Sequence, residues 1–212
     1  MPTNFPAILP TSVQFGLRSN TQVFSSPFSS SVQTVRMPGA AWFGTANFDD
    51  LEEAEARELI AFLMEMDGMQ GRFYFGDLSK MTPRGAATGI ARVRGGSQTG
   101  NAINVDGLSS STSNVSLPGD YIAFDTTQGR ELHMVTQSAN TNSSGQATLS
   151  ISPSIRTSPA NDAIVTIGSS ITGGIGNTDL SCVMRLQADQ SSWSVRAPIV
   201  SSIRVSFVEA FS

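Results

Sequence analysis

The pattern of apolar and polar positions predicts one amphipathic helix in the first third of the chain. Apolar residues recur there at spacings of three, four and eight, which places on one stripe Leu51, Leu59, Phe62, Leu63 and Met66. Asp49 or Asp50 can cap the N-terminus, with Glu52 or Glu53 three residues later in a capping-box pattern. Gly68 is the predicted stop. We therefore expect a helix whose stripe is buried.

Strands with period-two alternation are predicted on both sides of this helix and at the C-terminus. Residues 71–77 form a short aromatic segment between glycines. Residues 180–186 and 203–207 alternate apolar with polar side chains, so each is expected to have a dry face and a wet face. Cys182 falls on the dry face of its strand and is expected in the core.

Six short strands separated by glycine, asparagine and serine are predicted in the middle of the chain. They occupy residues 89–94, 101–105, 120–124, 131–137, 146–151 and 163–167. This spacing is typical of a small antiparallel barrel or sandwich. We expect residues 83–170 to form an inserted β-barrel domain. The flanks 1–82 and 171–212 would then pair as one discontinuous domain, with the glycine-rich link 169–179 as the return crossing.

Charge is distributed unevenly along the chain. Residues 49–67 hold eight acids and one arginine, a net charge of −7, so a chain total of −4 leaves +3 for the remainder. Glu52, Glu53, Arg57 and Glu65 lie off the apolar stripe, and this acidic face is expected to be solvated more readily than to contact a partner. No dense basic run occurs, so a nucleic-acid groove has little support.

Few residue types needed for enzyme chemistry are present. One cysteine and one histidine exclude an internal disulfide and a Cys/His zinc site. His133 lies on the polar side of a predicted strand without a nucleophile elbow, so we expect a solvent-facing histidine. The isolated carboxylates lie mostly beside turns, which explains them without catalysis: Asp77, Asp106, Asp120, Asp125 and Glu131. We predict no enzyme, and no catalytic, cofactor-binding or metal-binding residue.

The order of elements in the first eighty residues resembles one protein family. A segment FSSPFSSSVQT at 24–34 is followed by RMPGAAW at 36–42, by the helix, and by the aromatic strand GRFYFGD at 71–77. This order resembles the distal tail proteins of long, flexible-tailed, non-contractile bacteriophages. In the middle of the chain, PGDYI at 118–122 and GQATL at 145–149 are similar to the inserted β-barrel of some members.

The resemblance implies a mainly β fold with one principal α-helix and a structural role. Its flanking domain, 1–82 with 171–212, would be a β-sandwich forming the belt of a ring, and the inserted barrel would be OB-like and project outward. Such proteins form a ring, commonly a homohexamer, in the baseplate at the distal end of the viral tail. The implied partners are other copies of the chain, the tail tube protein and the tail hub or tip. The implied location is the virion, with the host cytoplasm before assembly.

A carbohydrate-binding β module of a phage or bacterial surface assembly is the alternative function. Such a module is expected to present aromatic platforms, yet residues 83–170 contain only Tyr121 and Phe124 as aromatic residues. Trp42 fits ordinary core packing better than a subunit hot spot. No apolar run is long enough for a transmembrane helix, and the N-terminus lacks a basic region of a signal peptide. We therefore expect no membrane contact.

Overall fold

The computed structural model describes residues 2–37, 39–78, 82–168, 180–196 and 200–211. Strands account for 48% of the chain and helix for 7%, so the mainly β prediction is confirmed. The predicted return crossing 169–179 lies outside the described residues. No helix in the described part of the chain combines the length and apolarity that crossing a bilayer requires.

The N-terminal part holds six strands and the helix of the described residues. In chain order they are β1 (Thr3–Asn4), β2 (Ser12–Arg18), β3 (Thr21–Ser25), β4 (Val32–Arg36), β5 (Ala41–Leu51), α1 (Glu53–Glu65) and β6 (Phe73–Phe75). The middle part holds β7 (Gly89–Val93), β8 (Gly100–Leu108), β9 (Tyr121–Thr126), β10 (Gly129–Val135), β11 (Ala147–Ile155) and β12 (Val165–Ile167). The C-terminal part holds β13 (Cys182–Leu186), β14 (Trp193–Arg196) and β15 (Val200–Glu209).

One seven-stranded sheet joins the two ends of the chain. Its order is β1-β6-β13-β15-β5-β2, and β14 pairs with β15 outside this path. Strands β13 and β15 from the C-terminal part are therefore hydrogen-bonded between β6 and β5 from the N-terminal part. The assignment of 1–82 with 171–212 as one folding unit, and of 83–170 as another, stays a prediction.

The middle strands form a second sheet that curls into a nearly closed barrel. Its order is β12-β9-β10-β11-β8-β7, and all six predicted strands are present. The two outer strands meet through an antiparallel bridge between Arg92 and Ile164. Backbone hydrogen bonds across this closure join Val93 N to Ala163 O at 2.9 Å and Asp162 N to Val93 O at 2.8 Å. We refer to this sheet as the barrel.

Helix α1 has the predicted buried stripe but begins later than predicted. Asp49 and Asp50 belong to β5, which stays paired with its neighbours as far as Leu51, so neither caps the helix. The N-cap is Glu52, whose backbone N–H donates to Oε2 of Glu55 at 3.2 Å. Leu59, Phe62 and Leu63 of the stripe are buried on the helix, and Ala56 joins them. Leu51 is not on the helix, because it is the last residue of β5, and Met66 is buried as the C-cap. Gly68, at φ 63°, follows the end of the helix as predicted.

Two hydrophobic cores organise the protein. The first lies between the seven-stranded sheet and α1 and contains a cluster of phenylalanines: Phe5, Phe48, Phe62, Phe73, Phe75 and Phe207. The second fills the barrel. Cys182 is fully buried in the first core, as predicted.

The predicted wet face of residues 180–186 is wrong. Ser181 is fully buried, and Val183 is only 8% exposed. The start of β10 covers this face, since a Cβ on Gly129 would lie 3.0 Å from Cγ2 of Val183. The barrel packs on the sheet there, so β13 is covered on both faces, an arrangement that period-two alternation in a single strand does not predict.

Candidate interaction surfaces

A two-stranded hairpin projects from the sheet. The pairing of β2 with β5 runs to Arg18 and Ala41, and the ribbon continues through a hydrogen bond from Met37 N to Asn20 O at 2.8 Å. Among the described residues, strands β3 and β4 then pair with each other alone, and every residue in them is exposed. We call residues 19–37 the hairpin arm. At roughly 3.3 Å per residue, each five-residue strand extends about 17 Å.

Exposed apolar side chains lie on both faces of the hairpin arm. The ladder pairs Phe24 with Gln33 and Val23 with Thr34, so these two apolar residues point to opposite faces. Phe28, at the tip, is 99% exposed. An isolated two-stranded hairpin is marginally stable in water, and exposed apolar patches mark interaction sites. The hairpin arm is therefore suited to pack against another surface.

Hydrogen bonds hold the tip and the base of the hairpin arm. At the tip, Ser30 N donates to Ser26 O at 3.0 Å and Ser26 N donates to Ser31 O at 2.9 Å. At the base, Nη1 of Arg36 donates to Oδ1 of Asn101 in the barrel at 3.1 Å. Residues 17–40 contain two arginines and no acid. The hairpin arm itself, residues 19–37, contains one arginine, Arg36, and no acid, so it is an apolar ribbon with a charge of +1 at its base.

The outer face of α1 is acidic and exposed, as predicted. Glu52, Glu53, Glu58 and Glu65 are all exposed on it. Glu53 forms an ion pair with Arg57 one turn later, and a pair this exposed contributes little to stability.

A buried seam joins the barrel to the seven-stranded sheet. Nε1 of Trp42 in β5 donates to Leu132 O in β10 at 2.7 Å. The backbone N–H of Trp42 donates to Oε2 of Glu209 at 2.9 Å, and Glu209 also pairs with Arg156 from the barrel. Trp42 is 3% exposed, which confirms its predicted place in the core. Its indole is also a link between the two sheets.

Burial controls the ionisation of the groups along this seam. Burial raises the pKa of Glu209, and Arg156 partly opposes the shift. Burial, followed by the charge of Asp77, raises the pKa of the Tyr121 phenol, whose hydroxyl lies 3.1 Å from Oδ2 of Asp77. Burial also raises the pKa of the Cys182 thiol well above its ordinary value. A thiol in that state is unreactive, so Cys182 is no nucleophile.

The prediction that His133 faces solvent is wrong. Its side chain is fully buried, stacked on the ring of Phe124 at a centroid distance of 4.9 Å. Its strand neighbours Leu132 and Met134 pack into the core of the sheet, so His133 on the opposite face points into the barrel. The apolar face of β10, with Leu132 and Met134, is therefore covered by the seven-stranded sheet. The face that carries His133, which the sequence suggested was solvent-exposed, lines the interior of the barrel.

The carboxylates considered for catalysis serve separate structural roles. Asp120 is buried and accepts backbone N–H groups from Arg84 at 2.7 Å, Leu117 at 2.8 Å and Gly85 at 3.0 Å. Asp125 pairs with Arg130 at 2.8 Å across the β9–β10 hairpin. The role of Asp120 agrees with the turn chemistry predicted for it.

Of the remaining carboxylates, Asp77 and Glu131 bond other groups of the chain. Asp77 bonds Tyr121 as described, and Asp106 lies half-buried in β8. Glu131 is buried and accepts backbone N–H groups from Thr157 at 2.9 Å and Arg156 at 3.1 Å. Within the described ranges, no three or more His, Cys, Asp or Glu residues are grouped so that they could hold a metal ion.

A cavity of about 530 Å³ opens beside the end of α1, between the sheet and the β9–β10 turn. Its lining includes Glu65, Asp67, Arg72 and Tyr74. Nη1 of Arg72 donates to the carbonyls of Met69, Gln70 and Gly71, so this guanidinium holds the loop that follows the helix. Arg72, the arginine in the cavity lining, therefore has a structural role.

Comparisons with known proteins add no family assignment. A scan against protein-family models and a search of curated proteins both return no match to this chain.

Sequence reasoning missed the exposure of the hairpin arm and the seam. Residues 24–34 carry only a family resemblance in the sequence, and the adjacent Val23 and Phe24 give no period-two alternation from which a covered face could be predicted. The one informative signal is the serine-rich tip around Phe28, which offers the aromatic ring no neighbouring apolar segment. The seam joins residues that lie 53 to 167 positions apart, and no local pattern encodes such contacts.

Proposed function

We propose that this chain is a structural virion protein that forms a ring at the distal end of a phage tail, joining the tail tube to the tail tip or hub. The observation that supports the proposal is the hairpin arm, which presents apolar side chains on both faces and Phe28 at its tip. The resemblance of residues 24–42 and 71–77 to distal tail proteins supports the same assignment.

A projecting arm favours a head-to-tail contact between copies. The hairpin arm cannot cover both of its own faces, so a second surface must do so. If that surface is a different patch on the next copy, the contact is heterologous. Repetition of such a contact generates a ring when the rotation from one copy to the next adds up to a full turn. The positive hairpin arm and the acidic face of α1 supply complementary charge for this geometry.

Partners and location follow from the proposed ring. The partners are other copies in a homohexameric baseplate ring, the tail tube protein and the tail hub. The barrel, proposed as an OB-like domain, would project outward from the belt formed by 1–82 and 171–212. The protein would reside in the virion tail, after synthesis in the host cytoplasm, without a cofactor and without specific nucleic-acid or membrane contact.

The alternative of a carbohydrate-binding module has less support. Tyr121 is 4% exposed and Phe124 is 2% exposed, so the two barrel aromatics cannot act as stacking platforms for a sugar. Of the carboxylates in and beside the barrel, Asp77, Asp120, Asp125 and Glu131 bond other groups of the chain, which does not favour an acid–base pair for glycoside hydrolysis. A structural role is therefore preferred to binding of a glycan and to hydrolysis.

Light scattering of the purified full chain tests the proposal. We expect a multimer for the wild type and a monomer for the double variant Phe24→Ser/Phe28→Ser. The control Ile90→Ser/Ile164→Ser removes two exposed apolar side chains from the barrel and should still assemble. A wild type that stays monomeric at high protein concentration, in both low and high salt, would contradict the ring.

A further inference from the structure

The tip of the hairpin arm carries an aromatic ring that its own copy of the chain does not cover. Phe28 is 99% exposed, and its neighbours at 25–26 and 29–31 are serines. The hydrogen bonds between Ser26 and residues 30–31 hold the tip in a defined turn, so the ring is presented from an ordered backbone. An aromatic side chain that fills a pocket on a partner is the usual anchor of a protein interface.

The cavity of about 530 Å³ at the end of α1 has room for such an anchor. Three residues of its lining lie side by side on one face of the seven-stranded sheet. Tyr74 of β6 pairs with Val183 of β13, and Ala210 N, just after β15, donates to Val183 O at 2.9 Å. Pockets that bind compact groups have volumes of about 300 to 1,000 Å³ and are lined mostly by apolar side chains. One aromatic ring fits a cavity of this size and lining.

The charge of the cavity suits the hairpin arm. Its lining contains Glu65 and Asp67, both exposed, and one base, Arg72, which gives a net charge of −1. The two acids lie at the C-terminal end of α1, where the helix dipole adds negative potential. The hairpin arm carries Arg36 and no acid, so its approach meets attraction and no repulsion between acids.

The hairpin arm and the cavity lie toward opposite edges of the seven-stranded sheet. In the order β1-β6-β13-β15-β5-β2, the hairpin arm extends from β5 and β2, whereas the cavity lies on β6 and β13. Strands β6 and β2 are four strand spacings apart, or about 19 Å. Phe28 is exposed, so it does not fill the cavity of its own copy. A tip at one edge and a cavity toward the other are different patches, as a heterologous contact requires.

We propose that Phe28 of one copy inserts into the cavity beside α1 of the next copy. The inference rests on the proposed ring and names the contact that joins neighbouring copies in it. Each copy then offers one tip and one cavity, and a closed ring uses every tip and every cavity.

A complementation experiment with the full chain tests this contact. Phe24→Ser/Phe28→Ser keeps the cavity but loses the tip. Gln70→Trp keeps the tip but places an indole at the cavity, where Gln70 is an exposed part of the lining. We expect each variant alone to be a monomer. Mixed in equal amounts, they should form a heterodimer and nothing larger, because one intact tip and one intact cavity remain. Native mass spectrometry identifies the heterodimer, since the two variants differ in mass.

Gln137→Trp is the matched control, because it makes the same substitution at an exposed glutamine of the barrel. It should assemble as the wild type does. A Gln70→Trp variant that also assembles as the wild type would overturn the inference and leave the ring standing. A mixture of the two variants that stays monomeric would show that the tip and the cavity are not partners.

Disulfide cross-linking tests the same contact without filling the cavity. Ser29→Cys/Gln70→Cys places one thiol beside the tip and one at the cavity, and the native Cys182 is buried. Mild oxidation should give a ladder of linked copies on a non-reducing gel, and Ser29→Cys/Gln137→Cys should not. Absence of the ladder would overturn the inference. If the wild type proves monomeric, the ring is contradicted, and the ladder still decides separately whether the tip meets the cavity.

Discussion

Arg156 and Glu209 form the contact at which a single side chain matters most to the attachment of the barrel. The Glu209 side chain is 1% exposed and that of Arg156 is 19% exposed, and the carboxylate also accepts the Trp42 backbone N–H. A buried ion pair adds little net stability, but removal of one member leaves an uncompensated charge. The seam is therefore more sensitive to the loss of one partner than to the loss of both.

Arg156→Ala should accordingly lower the free energy of unfolding by about 3 to 5 kcal/mol. Arg156→Ala combined with Glu209→Gln should be less destabilised than the single variant, because the buried carboxylate is gone. Urea unfolding of the wild type, Arg156→Ala, Glu209→Gln and the double variant forms a double-mutant cycle that measures the coupling between the two side chains. Additive losses would show that the two side chains act independently.

The apolar stripe and the acidic face of α1 should respond differently to substitution. Phe62 is 5% exposed and packs edge-on against Phe5 and Phe73, so Phe62→Ala should cost about 3 to 5 kcal/mol. Glu53→Gln on the exposed face should cost well under about 1 kcal/mol. Thermal unfolding distinguishes them, and equal shifts in Tm would contradict the assignment of the two faces.

At the scale of elements, close approach of β5 to its neighbours depends on Gly44. A Cβ at this position would lie 2.6 Å from Gln14 O of β2 and 2.7 Å from the Phe207 ring of β15. Gly44→Ala should therefore destabilise the sheet by about 1 to 3 kcal/mol, the usual cost of overpacking. Gly96→Ala, where nothing lies within 4 Å, is the control and should change the midpoint of urea unfolding little.

Local patterns in the sequence predict individual elements better than the contacts between them. The stripe of α1 and the six barrel strands follow from periodicity, because one buried face per element imposes it. The helix start was misplaced because β5 keeps its sheet pairing through Asp49 and Asp50, and pairing with a distant strand overrides a local capping pattern. His133 was misplaced for a related reason, since the sheet covers the outer face of β10.

The hairpin arm shows what periodicity leaves open. Neither β3 nor β4 shows period-two alternation, since Val23 and Phe24 are adjacent and Val32 and Val35 are three positions apart, so no pattern specifies what covers them. Within the described chain their apolar side chains are exposed. In the proposed ring the covering surface would belong to another copy, and a pattern within one copy does not identify it.

On the scale of the whole molecule, the barrel and the sheet depend on each other through the seam. Replacement of residues 84–168 by a short flexible linker would remove the partners of Glu209 and of the Trp42 indole. We expect that variant to be poorly folded, and the same deletion with Glu209→Gln and Trp42→Phe to recover cooperative unfolding in near-UV circular dichroism. Failure to recover would show that Tyr121 and Leu132 packing, rather than these polar groups, supports the sheet.

Salt should weaken the assembly if charge contributes to it. The acidic segment 49–67 carries −7, whereas the hairpin arm and its base carry two arginines without an acid. Exposed charges are screened beyond about 10 Å at 0.1 M salt, so the dissociation constant of the multimer should rise with ionic strength. Light scattering across a salt series measures this dissociation constant. Removal of one acidic charge from the exposed face of α1, as in Glu58→Gln, should make the constant less dependent on salt. A flat response would assign assembly to the apolar hairpin arm alone.

Negative-stain electron microscopy of the purified full chain tests the central claim most directly. The proposed function predicts closed rings with a central opening and one copy of the chain per repeat, which disappear in Phe24→Ser/Phe28→Ser. Images of isolated single particles at concentrations where light scattering should detect a multimer, or of open filaments without closure, would contradict the ring.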